Sequence, residues 1–207
     1  MIIAVDGPAA AGKGTLARAL ARHYQFHFLD TGALYRMVGL AVLSKGDKPQ
    51  DPSAALAAAR SLKPDLVRDE DLRSEEVGEA ASIVAADLRV RDALLGFQRE
   101  FAAKRPGTVL DGRDIGTVVC PHAEAKIFVT ASPEIRAQRR HAELAERGAA
   151  PSFTAVLAEI RARDERDRSR AHAPLIPAAD AYVLDSTDLT REEALAAAIA
   201  YVESRKK

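Results

Sequence analysis

The chain has 207 residues, and its 30 Lys plus Arg balance 30 Asp plus Glu. Zero net charge argues against a nucleic-acid coat or an electrostatic membrane binder. A single cysteine, Cys120, excludes an intrachain disulfide framework and multi-cysteine zinc sites. No apolar run approaches the ~18 residues of a membrane span, and Met1–Asp6 lacks the basic region of a signal peptide, so a cytoplasmic location is expected. Asn is absent from the sequence, which removes every Asn-dependent signature, including the guanine-reading Asn-Lys-x-Asp of GTPases. Arg outnumbers Lys 22 to 8, a bias toward the forked donor that suits phosphate and carboxylate, or else a trace of genome composition.

The apolar run Ile2-Ile3-Ala4-Val5 predicts a buried strand turning at Asp6-Gly7-Pro8. Leu16, Ala19 and Leu20 place a helix from Gly14 to His23, and Phe26 to Leu29 reads as a second strand. Ala33 to Ser44 carries Leu34, Met37, Val38, Ala41 and Val42 on one helical face. Breakers at 46–52 and at Lys63-Pro64-Asp65 enclose a short Ala-rich helix, an excursion from the core. Helices are expected over 75–86 and 90–104, strands over 108–111 and 125–129. Pro133 to Arg147 and Ser152 to Arg168 form two more helices. A fifth strand spans 181–184, and Thr190 with Glu193 makes a capping box for the last helix. Strands alternating with helices predict a three-layer α/β/α fold around a parallel five-stranded sheet.

The segment Gly7-Pro8-Ala9-Ala10-Ala11-Gly12-Lys13-Gly14-Thr15 leaves a strand and opens a helix, which is the context of a phosphate-binding loop. Its glycines admit backbone N–H groups to phosphate oxygens, and the helix N-terminus favours the anion. Lys13 is placed to reach the β and γ phosphates. Gly14 stands where Ser or Thr usually follows the lysine; Thr15 comes one residue later and is expected on a phosphate oxygen. Without Asn, ATP is the favoured donor.

Three other segments bear the remaining charge. After the second strand, Arg36 of Asp30-Thr31-Gly32-Ala33-Leu34-Tyr35-Arg36 either grips an acceptor phosphate or is solvated beyond a cap made by Asp30 or Thr31. At the third strand's exit, Asp111 of Asp111-Gly112-Arg113-Asp114 holds the water shell of Mg²⁺, or the segment is a charged turn with an internal ion pair. The run Arg161 to Arg170 is either a solvated, salt-bridged helix or a phosphate clamp. Cys120 reads as a buried small hydrophobe, and the five His show no ligand spacing.

Together the phosphate loop, Leu29-Asp30-Thr31-Gly32-Ala33-x-Tyr35-Arg36, Asp111-Gly112-Arg113-Asp114-Ile115-Gly116-Thr117-Val118-Val119 and Arg163-Asp164-x-Arg166-Asp167-Arg168-x-Arg170 resemble the bacterial cytidylate kinases over nearly the whole chain. The resemblance implies a P-loop core over 1–45 and 87–207, a monophosphate-binding insertion over 46–86 and a short helical lid near 140–155. It implies transfer of phosphate from ATP, with Mg²⁺, to CMP or dCMP. Arg36, Arg113 and Arg170 would then hold the acceptor phosphate, and Arg163 and Asp167 the ribose. Ser82, Arg91 and Asp114 would read cytosine, with Thr31, Tyr35 and Gly112 nearby. Arg73 would close the insertion, and Arg139 and Arg140 would belong to the lid, Arg139 on ATP. Lys13, Arg113 and Arg170 are the expected catalytic set, in a monomer that binds neither nucleic acid nor membrane. The insertion is short: Leu66 to Asp71 leaves little room for the family's small β-meander. The rival readings are a kinase for UMP or a cofactor precursor, and an ATP-gated RNA-binding module, the latter opposed by zero net charge and 5% aromatic residues.

Overall fold

A computed structural model of the chain describes residues 1–63, 69–72, 74–146, 148 and 151–206, the side chains of 69 and 70 excepted. Arg73 and residues 66–68 of the 66–71 stretch therefore lie outside the described residues, as do 147, 149 and 150 of the expected lid.

The described residues form two compact units: Met1–Leu29 with Ala102–Lys207, and Asp30–Phe101. The first is built on a five-stranded parallel sheet. Its strands are β1 (Ile2–Asp6), β2 (His27–Asp30), β3 (Thr108–Gly112), β4 (Ala125–Thr130) and β5 (Tyr182–Asp185), in the order β2-β3-β1-β4-β5. β1 pairs with β3 in a register that sets Asp6 beside Gly112, and with β4 so that Asp6 faces Phe128. The central strands read as continuous apolar runs because both their faces are buried, Ala4 and Leu110 as well as Ile3, Val5 and Val109. Ile3, Val5, Val109, Ile127 and Val129 form one core with Leu16, Ala17 and Leu20 of α1 (Lys13–Tyr24) and Ala198 and Val202 of α8 (Arg191–Arg205). The chain leaves β1 toward β2, fills the gap with β3, then crosses to β4. The carboxyl ends of β1, β3 and β4 thus flank the switch point, where ligands bind in such sheets.

Two further helices of this unit, α6 (Pro133–Glu146) and α7 (Phe153–Arg168), share a separate small core of Ala137, Leu144, Val156 and Ile160. Ser152 caps α7 by accepting from Ala155 N–H. The expected capping box is present at α8: Thr190 and Glu193 bond reciprocally.

The described residues of the second unit include four α-helices. These are α2 (Thr31–Leu43), α3 (Pro52–Arg60), α4 (Glu75–Val84) and α5 (Leu88–Ala102). Asp30 caps α2, and Asp51 caps α3 with Pro52 in its first turn. Leu34, Val38 and Val42 of α2 share a core with Ala55 and Ala58 of α3, Val84 of α4 and Val90 and Leu94 of α5. The unit is therefore wider than residues 46–86, because the apolar stripes of α2 and α5 are buried in it. Gly39 permits the closest approach: a Cβ there would lie 3.0 Å from the Ala80 Cβ and the Ala81 backbone.

Candidate active site

The phosphate loop takes its shape from close packing. A Cβ on Gly7 would stand 2.1 Å from the Val129 carbonyl oxygen, so only glycine lets the loop lie against β4. Gly12 has φ +87°, a left-handed turn into α1 that glycine adopts without strain. No side chain caps α1, which leaves its N-terminus facing the loop as an anion seat.

Lys13 Nζ lies 3.5 Å from Asp111 Oδ1 at the end of β3. Asp111 is 3% exposed, and its other oxygen is 3.0 Å from where a Cβ of Gly14 would be. Glycine after the lysine thus admits a strand-end carboxylate beneath the loop. Thr15 is exposed in the first turn of α1. A buried carboxylate beside a phosphate seat is a hard oxygen ligand of the type Mg²⁺ takes alongside phosphates and water. Among the described residues no three His, Cys, Asp or Glu gather into a metal cage.

Beside the loop opens a cavity of ≈ 750 Å³, lined by Gly12 to Leu16, by Arg139 and Arg140 of α6, and by Ser186 and Leu189 to Glu192 leading into α8. This is the volume of a small-molecule site. Arg139 donates to Ser186 Oγ at 3.1 Å and to Ser186 O at 2.7 Å. Ser186 Oγ in turn donates to Ala11 O and Thr130 O, each at 3.1 Å. Burial, and then the charge of Arg191, draws the Arg139 guanidinium below its ordinary range, which marks a place where added negative charge is favourable. Neither Ser186 nor Arg191 stood out in the sequence.

The β3 exit and α7 meet in a second cluster. Asp167 accepts from Arg113 Nε at 3.1 Å and also from Arg170 Nη2. Arg113 donates from Nη1 to Gly112 O. Burial works to raise the Asp167 carboxyl, but the Arg113, Arg170 and Arg163 guanidiniums outweigh it and hold the group below its ordinary range. The run 161–170 divides by face: Arg161 pairs with Glu134 in solvent, while Asp164 and Asp167 are buried. The salt-bridged reading of this run holds on its solvent side.

Asp6, read from sequence only as a turn residue, ends β1 and accepts from the N–H groups of Ile115 and Gly116, both at 2.8 Å. It anchors a single π turn, Ile115–Val119, directly after the buried Asp114. Burial pushes the Asp6 carboxyl up to about 7 against those two donors, helped by the charges of Asp114 and Asp111. Cys120 is buried at the end of the turn.

In the second unit Thr31, Tyr35 and Ser82 are buried and Arg36 is half-buried. The Arg91 guanidinium lies 5.5 Å from the centre of the Tyr35 ring and donates to Ala85 O at 3.1 Å. This places Tyr35 and Arg91 in contact, on helices α2 and α5.

A glycine-rich loop running from β1 into an uncapped helix, with its lysine against a strand-end aspartate, defines a P-loop nucleotide-binding protein. The sequence profile of cytidylate kinase matches residues 3–204. The cytidylate kinase of Xanthobacter autotrophicus is 58% identical over 206 residues, 100% of this chain and 99% of its own length. That of Bradyrhizobium diazoefficiens is 55% identical over 99% of this chain and 96% of its own. The chain belongs to the cytidylate kinase family. Among solved structures, a gluconokinase from Sinorhizobium meliloti matches with a TM-score of 0.50 at 16% identity, over 98% of this chain and 91% of that one. An uncharacterized protein from Eubacterium ventriosum matches with a TM-score of 0.54 at 15% identity, over 99% of both chains. These two share the fold alone.

Proposed function

We propose that the chain moves the γ-phosphate of ATP to CMP or dCMP, giving ADP and CDP or dCDP. The single observation that carries the reading is the pairing of a phosphate loop, Lys13 over Asp111, with a guanidinium cluster, Arg113 and Arg170 on Asp167, in a chain of this family.

The acceptor oxygen is already anionic, so the reaction needs no general base; positioning and charge compensation suffice. Loop residues Gly7 to Thr15 cradle the ATP phosphates, and Lys13 neutralises charge on the group in transfer. The cavity beside the loop takes the rest of ATP, with Arg139 at its wall. Asp111 would hold Mg²⁺ through its water shell, and the ion when bound would offset the charge of the β and γ phosphates; Thr15 meets a phosphate oxygen. Arg113 and Arg170 hold the acceptor phosphate, and Arg163 and Asp167 the ribose. The family resemblance adds Asp114 and Gly112, and Thr31, Tyr35, Arg36, Arg73, Ser82 and Arg91, as the remaining acceptor residues. The tie of Arg113 Nε to Asp167 supports this role, because it fixes the guanidinium plane before any phosphate arrives. The enzyme is read as a cytoplasmic monomer working on small molecules.

The test is ADP release with Mg²⁺ and ATP against CMP, dCMP, UMP and AMP at low concentration. Selective turnover with CMP and dCMP is expected. Comparable turnover with UMP would broaden the acceptor to pyrimidine monophosphates, and no turnover with any acceptor would overturn the reading.

A further inference from the structure

We infer that Arg136 is a positioning residue that ties the phosphate loop to the helix bearing Arg163 and Asp167, and so sets the donor side of the reaction against the acceptor-binding residues of the same unit. The inference rests on the phosphotransfer proposed above.

Arg136 lies in the first turn of α6 and is 1% exposed. Its guanidinium joins three separate segments. Nε donates to Ala131 O, just past β4, at 2.9 Å. Nη1 donates to Ala9 O in the phosphate loop at 3.3 Å. Nη1 and Nη2 together grip Asp164 of α7, at 2.9 and 2.5 Å. Sealed from solvent, the side chain has no face toward a nucleotide.

A buried ion pair is a poor way to add stability, since apolar residues of similar volume often do as well or better. What the planar fork supplies is direction: one geometry satisfies Asp164 and the Ala9 carbonyl together. The loop shows why direction is needed. Ala10 follows with φ +59°, a left-handed conformation that strains a non-glycine residue. Its side chain packs against the Ala137, Leu144, Val156 and Ile160 core of α6 and α7. The loop's shape is thus held from the α6–α7 side at two consecutive residues. On α7, Asp164 adjoins Arg163 and precedes Asp167 by three positions, so turning the helix about Asp164 carries both away from their places. A displacement of ~1 Å in such a site can cost about 100-fold in rate.

The experiment compares Arg136→Lys with a double variant, Arg136→Met with Asp164→Leu, each assayed well below its own Tm. Arg136→Lys keeps charge and loses the fork; kcat is expected to fall by about 30-fold or more, with Kd for ATP and for CMP both weakened. The double variant restores apolar packing without direction; its Tm is expected to match or exceed the parent's while kcat stays low. Recovery of kcat together with Tm would overturn the inference, as would Arg136→Lys with parental constants or with only one nucleotide weakened. If the parent itself did not phosphorylate CMP, the functional reading would fall separately. The Kd for ATP in the two variants would still decide whether Arg136 shapes the loop.

Discussion

Arg113 Nε donates to Asp167 Oδ2 at 3.1 Å across 54 residues of sequence, joining the exit of β3 to α7. Asp167 also takes Arg170, so one buried carboxylate aims two guanidiniums. Replacing Asp167 with Ala leaves those half-buried cations without this partner and is expected to cost up to about 3–5 kcal/mol. Asp167→Asn keeps the shape and should cost less. Urea unfolding measures the stability loss, and the KM for CMP is expected to rise in both variants while the KM for ATP moves little.

Lys13 of the phosphate loop faces Asp111, at the end of β3, at 3.5 Å. Lys13→Met should lower kcat by roughly 10³-fold or more, since it removes charge compensation in the transition state. The fold should be retained, because Lys13 supports no part of the core. Steady-state rates with circular dichroism check both halves; near-parental kcat in the folded variant would contradict the role.

Two glycines of the loop should fail for different reasons. Gly7→Ala drives a Cβ to 2.1 Å from the Val129 carbonyl oxygen and should cost about 3 kcal/mol or more. Gly12→Ala meets nothing within 4 Å and should cost only the roughly 1–2 kcal/mol of a left-handed alanine. Thermal denaturation ranks the pair: Gly7→Ala is expected to be much the less stable, with ATP binding weakened in both.

Asp6 and Asp167 should impose opposite pH slopes. The Asp6 carboxyl is raised from 3.8 to about 7, so its contribution to stability is present at acid pH and lost as pH rises from about 4 through 7. Asp167 lies below its ordinary value; its contribution is present above about 4 and lost as pH falls through its lowered folded value. Melting temperatures of the parent, Asp6→Asn and Asp167→Asn across this range should show the first slope flattened in one variant and the acid limb flattened in the other.

The phosphate loop and most elements were legible because their signals are local: glycines about a lysine, a capping box, apolar steps of three and four. The Asp6 anchor was not, because its donors lie 109 and 110 residues away and a strand-end Asp before Gly looks like any turn. Arg136 was lost among the arginines of α6, since its partner stands 28 residues on. A signal existed on α7, where Val156, Ile160, Asp164 and Asp167 recur at steps of four, four and three. The acids continue the buried stripe and call for buried cations. The second unit's extent was hidden because an apolar face on α2 fits a sheet or a helix partner equally well.

The most direct test of the central claim is ³¹P NMR of the chain mixed with Mg²⁺, ATP and CMP. The account predicts that the β-phosphorus of CDP grows in step with ADP, with little inorganic phosphate, because phosphate passes to the nucleotide and not to water. Inorganic phosphate rising with ADP in the absence of CDP would contradict it.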